Sequence, residues 1–103
     1  MSGRDLKEHI RILTEFRKLD PWMGVQTVYA FLIIAQRTVV NAETLRVMDV
    51  GELMETSSAS ASRNLRALVD HDLIKLYENP DRRIEKYIEV TKLGRALARR
   101  IAL

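Results

Sequence analysis

The sequence contains no cysteine. That excludes disulfides, thiolate metal sites and cysteine nucleophiles. It has two histidines, His9 and His71, far apart in the chain, so no metal site is expected and both read as solvent-facing. Long apolar runs are missing too. The longest uncharged stretch, Pro21 to Gln36, spans sixteen residues and includes Gln26 and Thr27. It is too short and too mixed to span a bilayer. The opening MSGRDLKEH lacks an apolar signal core, so a cytoplasmic protein without membrane contact is expected. No base or acid is spaced to activate the serines of the SSASAS stretch, so no enzyme and no cofactor are expected.

What is present fits one soluble globular domain over residues 1–103, with 47% hydrophobic and 30% charged residues. The net charge of +3 hides an asymmetry. Residues 1–55 hold seven Lys/Arg against eight Asp/Glu, whereas residues 56–103 hold ten against six. The basic excess therefore lies wholly in the second half, as on a surface that meets a polyanion.

The apolar spacing predicts a helix over 4–19, with Leu6, Ile10, Leu13 and Phe16 on one stripe. Asp20-Pro21 ends it, because the residue before proline avoids the helical region. A second helix is expected over 24–37. Val25, Val28, Tyr29 and Phe31 to Ala35 make it apolar nearly all round, which predicts burial on most sides. Trp22 and Met23 read as core or dimer contacts. Residues 38–44 read as a loop or a short helical extension, and Leu45-Arg46-Val47 as a short strand. Asp49 and Glu52 then have the spacing of a capping box with Asp49 as N-cap, and Met48 and Leu53 that of its hydrophobic staple. That places a short helix from Val50 to Glu55 or Thr56. An alternative start a few residues earlier puts Val47, Val50 and Met54 on one face.

Thr56, Ser57 and Ser58 offer new N-caps. A helix over 58–71 follows, with Ala61, Leu65, Leu68 and Val69 apolar. A strand over 73–78, turn residues Asn79-Pro80-Asp81, and a return strand over 84–90 make a hairpin. Thr91 can cap a last helix over 92–102 that carries Leu93, Leu97 and Ile101. The order gives a mainly α chain with a small β-hairpin wing, a winged helix-turn-helix.

On a wheel of the 58–71 helix, Ala59, Arg63, Arg66 and Asp70 lie opposite the apolar stripe, with Ser60 and Ser62 at its edges. Small residues at the start let the backbone approach DNA, and Ser58, Ser60 and Ser62 suit phosphate oxygens. Ser60 is also placed for a base edge. Arg63, near the start, has the chemistry to bind guanine O6 and N7 with both arms of its fork. Arg66 is placed either for phosphate or to pair with Asp70 at i+4. At the hairpin tip, Arg82 and Arg83 suit a minor groove, and Asp81 suits orienting an arginine there.

The stretch SASRNLRALVDHDLI, then NPDRR, then VTKLG, resembles the winged-helix core of MarR-like transcriptional regulators over about residues 45–97. Ser62-Arg63, Leu65, Leu68 and Leu73-Ile74 fall on that pattern. Asp81 and Arg83 match its D-x-R wing motif, whose arginine enters the minor groove, and Thr91 and Gly94 match its T-x-x-G. Upstream, FRKLDPWMGVQTVYAFLIIA is similar to the helix junction of compact, phage-borne relatives. Three departures stand out: Asp72 replaces a usual glycine at a left-handed helix end, Thr56 replaces an apolar turn residue, and the wing is one residue longer.

The resemblance implies a double-stranded DNA-binding transcriptional regulator, a repressor that reads the major groove with helix 58–71 and the minor groove with the 79–84 wing. Full-length relatives continue with long helices that build most of a dimer interface and help line an effector pocket. With Leu103 last here, a homodimer is expected to rest on Leu6, Ile10, Leu13, Phe16, Leu97 and Ile101, and response to a small-molecule effector stays open. The alternative is a winged-helix interaction module that binds a polymerase or replication protein.

Overall fold

In the computed structural model, which describes residues 3–82 and 85–102, the first amphipathic stripe becomes helix α1, Gly3–Leu19. Asp20 ends it by accepting the Trp22 backbone N–H at 2.9 Å. Phe16, 1% exposed, meets Phe31 edge-on with ring centroids 5.6 Å apart. Helix α2, Val25–Ala35, buries Thr27, Val28, Ala30, Phe31, Ile34 and Ala35. The expected burial on most sides is corrected here: Val25, Tyr29 and Leu32, spaced four and three residues apart, form an exposed stripe. Trp22 just before it is 91% exposed and is no part of the core. Met23 is half-buried against it.

The helical extension weighed for 38–44 exists, as a π-helical turn over Gln36–Val40. The Thr38 hydroxyl donates to the Ile34 carbonyl at 2.7 Å, and the Asn41 N–H reaches back five residues to the Gln36 carbonyl at 3.0 Å. A threonine that bonds its own preceding turn disturbs regular α geometry there.

Strand β1, Leu45–Arg46, leads directly into α3, Val47–Leu53. The earlier of the two predicted starts is the observed one. Arg46 is the N-cap residue, and Asp49 stands at the third helical position, where its carboxylate accepts the Arg46 N–H at 2.9 Å. Met48 is exposed rather than stapled to Leu53.

A tight turn follows, with Glu55 at φ 53°. It is closed by Glu55 N–H to the Glu52 carbonyl and Thr56 N–H to the Gly51 carbonyl, both at 3.1 Å. Helix α4, Ser58–Asp70, is capped by the Ser57 hydroxyl, which accepts the Ser60 N–H at 3.1 Å. It buries Ala61, Leu65 and Leu68, while Val69 is exposed. The Thr27 hydroxyl donates to the Asn64 side chain at 3.0 Å and so ties α2 to α4. At the end of α4, Asp72 has φ 58°, the left-handed conformation that its place predicted. His71 is not free in solvent, since its Nε2 lies 3.2 Å from Asp20 Oδ2.

Strands β2, Ile74–Glu78, and β3, Lys86–Val90, pair antiparallel from Ile74↔Val90 to Glu78↔Lys86. β1 joins the other edge of β3 through Leu45↔Ile88 and Arg46↔Tyr87, which gives the sheet order β1-β3-β2. The opposed Tyr77 and Tyr87 rings stack at 5.6 Å.

Thr91 fastens the wing to α5, Lys92–Ala102. Its hydroxyl donates to the Asp72 carbonyl at 2.6 Å and accepts the Gly94 N–H at 3.0 Å. Arg11 of α1 donates to the Arg100 and Ile101 carbonyls at 2.6 and 3.0 Å, which satisfies groups a helix end leaves unpaired. The architecture is mainly α with a small antiparallel sheet, a winged helix-turn-helix.

Candidate nucleic-acid interface

The expected dimer set divides on burial. Phe16 is 1% exposed, Leu97 fully buried and Ile101 8% exposed, so all three pack in this chain's own core. Leu6, Ile10 and Leu13 are exposed on α1. A helical stripe alone does not distinguish the two fates.

The helix α4 carries its polar face outward. Ser58, Ala59, Ser62, Arg63, Arg66 and Asp70 are exposed, and Ser60 is half-buried. The serines at the start are not equivalent. Ser57 and Ser60 hydroxyls lie 3.1 Å apart, and Arg63 Nη2 donates to Ser60 Oγ at 3.1 Å. Ser60 is thus a holder for Arg63, which keeps the guanidinium directed toward the first turn of the helix. Neither Arg63 nor Arg66 has a carboxylate partner among the described residues, so the offered Arg66–Asp70 pair is absent there.

Two adjoining grooves flank α4. The larger, about 720 Å³, runs between the start of α3, Ser58 and Ser62 of α4, and Arg82, Glu85 and Lys86 of the wing. The second lies between Arg63 and Arg66 of α4 and the sheet at Leu76 and Lys86. Val47, Ser62 and Lys86 border both. Helix α4 and the wing therefore share one concave face.

The wing is organised by a residue that sequence reasoning used only as turn chemistry. Asn79 accepts the Asp81 N–H on its side chain at 2.9 Å and the Arg82 N–H on its carbonyl at 3.2 Å. Its amide donates to Glu85 Oε2 at 3.0 Å and to the Tyr87 hydroxyl at 3.3 Å. Arg83, the expected minor-groove residue, lies outside the described residues, as does Ile84 of the expected return strand. Any Asp81–Arg83 pair lies outside them with Arg83. The Arg82 side chain is largely exposed and comes within 4.0 Å of Glu85 Oε1.

Arg46 and Glu85 were not among the sequence candidates. Arg46 Nη2 and Nε donate to the two oxygens of Asp49 at 3.0 and 3.3 Å, and its Nη1 donates to Glu85 Oε1 at 3.2 Å. The bond to Asp49, followed by that to Glu85, raises the guanidinium pKa above its usual value. Burial pushes the Asp49 carboxyl up, but the Arg46 hydrogen bonds outweigh it and leave the group below its ordinary range. The Glu85 carboxyl is lowered first by the Asn79 hydrogen bond, against some burial, and further by Arg46 and the Arg82 charge. The Arg46–Asp49 spacing of three was a legible signal; the contact to Glu85, thirty-nine residues on, was not.

Among the described residues no cluster of His, Asp and Glu has a metal-binding arrangement, and no helix is long and apolar enough to cross a membrane. No family model matches the chain, and no curated protein matches it. Solved structures do. A mutant MepR of S. aureus bound to an oligodeoxyribonucleotide aligns with TM-score 0.78 at 16% identity, over 95% of this chain and 67% of that one. RV1404 of Mycobacterium tuberculosis aligns with TM-score 0.73 at 17% identity, over 96% and 64%. A mutant MarR of E. coli in complex with operator DNA aligns with TM-score 0.66 at 13% identity, over 94% and 64%. The chain thus has the winged-helix fold of MarR-like proteins and spans about two thirds of their length.

Proposed function

We propose that this winged helix is a sequence-specific double-stranded DNA-binding regulator that represses transcription by occupying an operator. The observation that carries the reading is the shared concave face. Ser58, Ser62, Arg63 and Arg66 of α4 and Arg82 of the wing border its two grooves, and among the described residues neither α4 arginine is paired with a carboxylate. Solved neighbours of the same fold include MepR and MarR structures with bound DNA, which supports it.

In this reading α4 enters the major groove. Ser58 and Ser62 meet phosphates, Arg63 reads a base edge from a direction set by Ser60, and Arg66 meets the backbone. Arg82 and Arg83 of the wing enter the minor groove, with Asp81 as orienter. A homodimer formed through Leu6, Ile10 and Leu13 of α1 reads a near-palindrome with half-sites about one helical turn apart. Response to an effector is left to experiment.

One specific observation favours the second reading, an interaction module for a polymerase or replication protein. It is the exposed apolar stripe of Trp22, Val25, Tyr29 and Leu32. Selection from a random-sequence duplex pool, followed by titration across salt, separates the two. The regulator reading requires enriched sequences and binding that weakens steeply with salt, by about 0.9 in log–log slope for each phosphate neutralised. Failure to retain any duplex at low salt rejects it.

A further inference from the structure

The wing and the recognition helix sit on different parts of the chain, and what fixes one against the other decides which DNA both can reach together. β1, which leads straight into α3, pairs with β3 of the wing at Leu45↔Ile88 and Arg46↔Tyr87. Beyond it, one side chain bridges the two parts. Arg46 holds Asp49 of α3 with two of its nitrogens and Glu85 of the wing base with the third, at 3.0, 3.3 and 3.2 Å. The planar fork sets direction as well as distance, which a lysine ammonium does not do. Glu85 is fixed from its other side by Asn79, the residue that folds the wing turn.

Charge adds a second consequence. Glu85 lines the same groove as Ser58 and Ser62, where a bare carboxylate repels phosphate. The Asp49 and Glu85 side chains are 23% and 17% exposed, and the Arg46 side chain that bridges them is 39% exposed. Arg46 lines the groove beside Glu85 and offsets its charge there. Arg82 lies 4.0 Å from the same Glu85 oxygen, so the two arginines share one carboxylate.

We infer that Arg46 is a positioning residue that clasps Glu85 to set the wing against α4, for the DNA reading proposed above, on which this inference rests. Removing Glu85's charge frees Arg82 for phosphate and takes a carboxylate out of the groove, while Arg46 stays on Asp49 and the wing loosens. Non-specific and specific binding should then move in opposite directions, which a loss of folding stability alone does not produce.

The test uses the full chain, the duplex best enriched by the wild type, and a random-sequence duplex pool. For Glu85→Gln, which keeps the shape and the reach to Asn79, the random-pool salt slope steepens by about 0.9 for the freed Arg82. The ratio of specific to non-specific affinity falls roughly ten-fold, as for a paired-charge coupling of ordinary size. Arg46→Lys keeps the charge but not the fork, so its random-pool affinity stays near wild type while the ratio falls. Arg46→Met removes the cation beside two carboxylates and weakens binding to both duplexes. Unfolding by urea for each variant keeps a folding defect apart from a binding one. A wild type that binds the selected duplex, with a ratio within two-fold of wild type in both Glu85→Gln and Arg46→Lys, overturns the clasp alone. A wild type that binds no duplex overturns the regulator reading and the clasp with it.

Discussion

Gly94 shows how one residue fixes the joint between wing and last helix. A β-carbon built there would meet the Leu73 carbonyl oxygen at 2.2 Å and Val90 Cγ1 at 2.7 Å, with backbone on one side and a core side chain on the other. Neither neighbour yields cheaply, since Leu73 and Val90 are buried and their backbones anchor Thr91 and the sheet. Gly94→Ala is expected to cost about 2–3 kcal/mol, the upper range for forcing atoms into a packed interior. It should appear as a lower urea midpoint at an unchanged slope. The Thr91/Gly94 pair was legible as a motif, and its physical content is the hydroxyl that bridges Asp72 and Gly94. Arg46 was not legible in the same way. Asp49 with Glu52 spells a capping box only for a helix that starts at Val50, whereas in the observed register Asp49 boxes with Arg46. The register is settled by Arg46, whose backbone pairs with Tyr87 and whose N–H bonds Asp49.

At the scale of elements, both helices of the helix-turn-helix end in the same way. In α4 the Asp72 N–H bonds the Val69 carbonyl at 2.9 Å, and the Leu73 N–H bonds the Leu68 carbonyl at 3.0 Å. This is the Schellman arrangement, with buried Leu73 and Leu68 as its apolar pair. Its left-handed position favours glycine, yet here it holds Asp72, as the matching position in α3 holds Glu55. An L-residue there carries a steric cost of roughly 1–2 kcal/mol. Asp72→Gly is therefore expected to stabilise the chain by about 1 kcal/mol, read as a higher urea midpoint. An unchanged or lower midpoint would mean that the Asp72 side chain compensates the strain locally. This helix end was legible through the resemblance, in which Asp72 stands at a usual glycine. The sequence pattern misjudged α2, because apolar residues all round a helix report composition, not which neighbours the fold provides. Val25, Tyr29 and Leu32 are left outside since α4, α3 and the sheet cover only the opposite side.

The whole molecule is elongated, 49 Å on its long axis against 25 and 24 Å across. Its α1 helix meets the body through Phe16, with Ile12 and Leu19 packed against the core, and through the Arg11 and Glu15 links to the end of α5. Leu6, Ile10 and Leu13 stay exposed, whereas Phe16, Leu97 and Ile101 close the core, so periodicity found the stripes but could not divide them. Ile10→Asp tests the proposed dimer without disturbing that core. Light scattering should give a wild-type mass near twice 11.9 kDa and a variant mass near one chain, at equal helix content. A monomeric wild type would remove the dimer and its palindrome. The basic excess of the second half places Arg63, Arg66 and Arg82 on one concave face, and in the proposed reading Arg63 is the residue that discriminates between bases. The most direct measurement is binding of the selected duplex, its single-base variants and the random pool by wild type and Arg63→Ala at two salt concentrations. The account predicts that Arg63→Ala loses about 1–3 kcal/mol of discrimination at one base position and keeps most non-specific affinity. Equal loss on every duplex, or no loss on any, would contradict it.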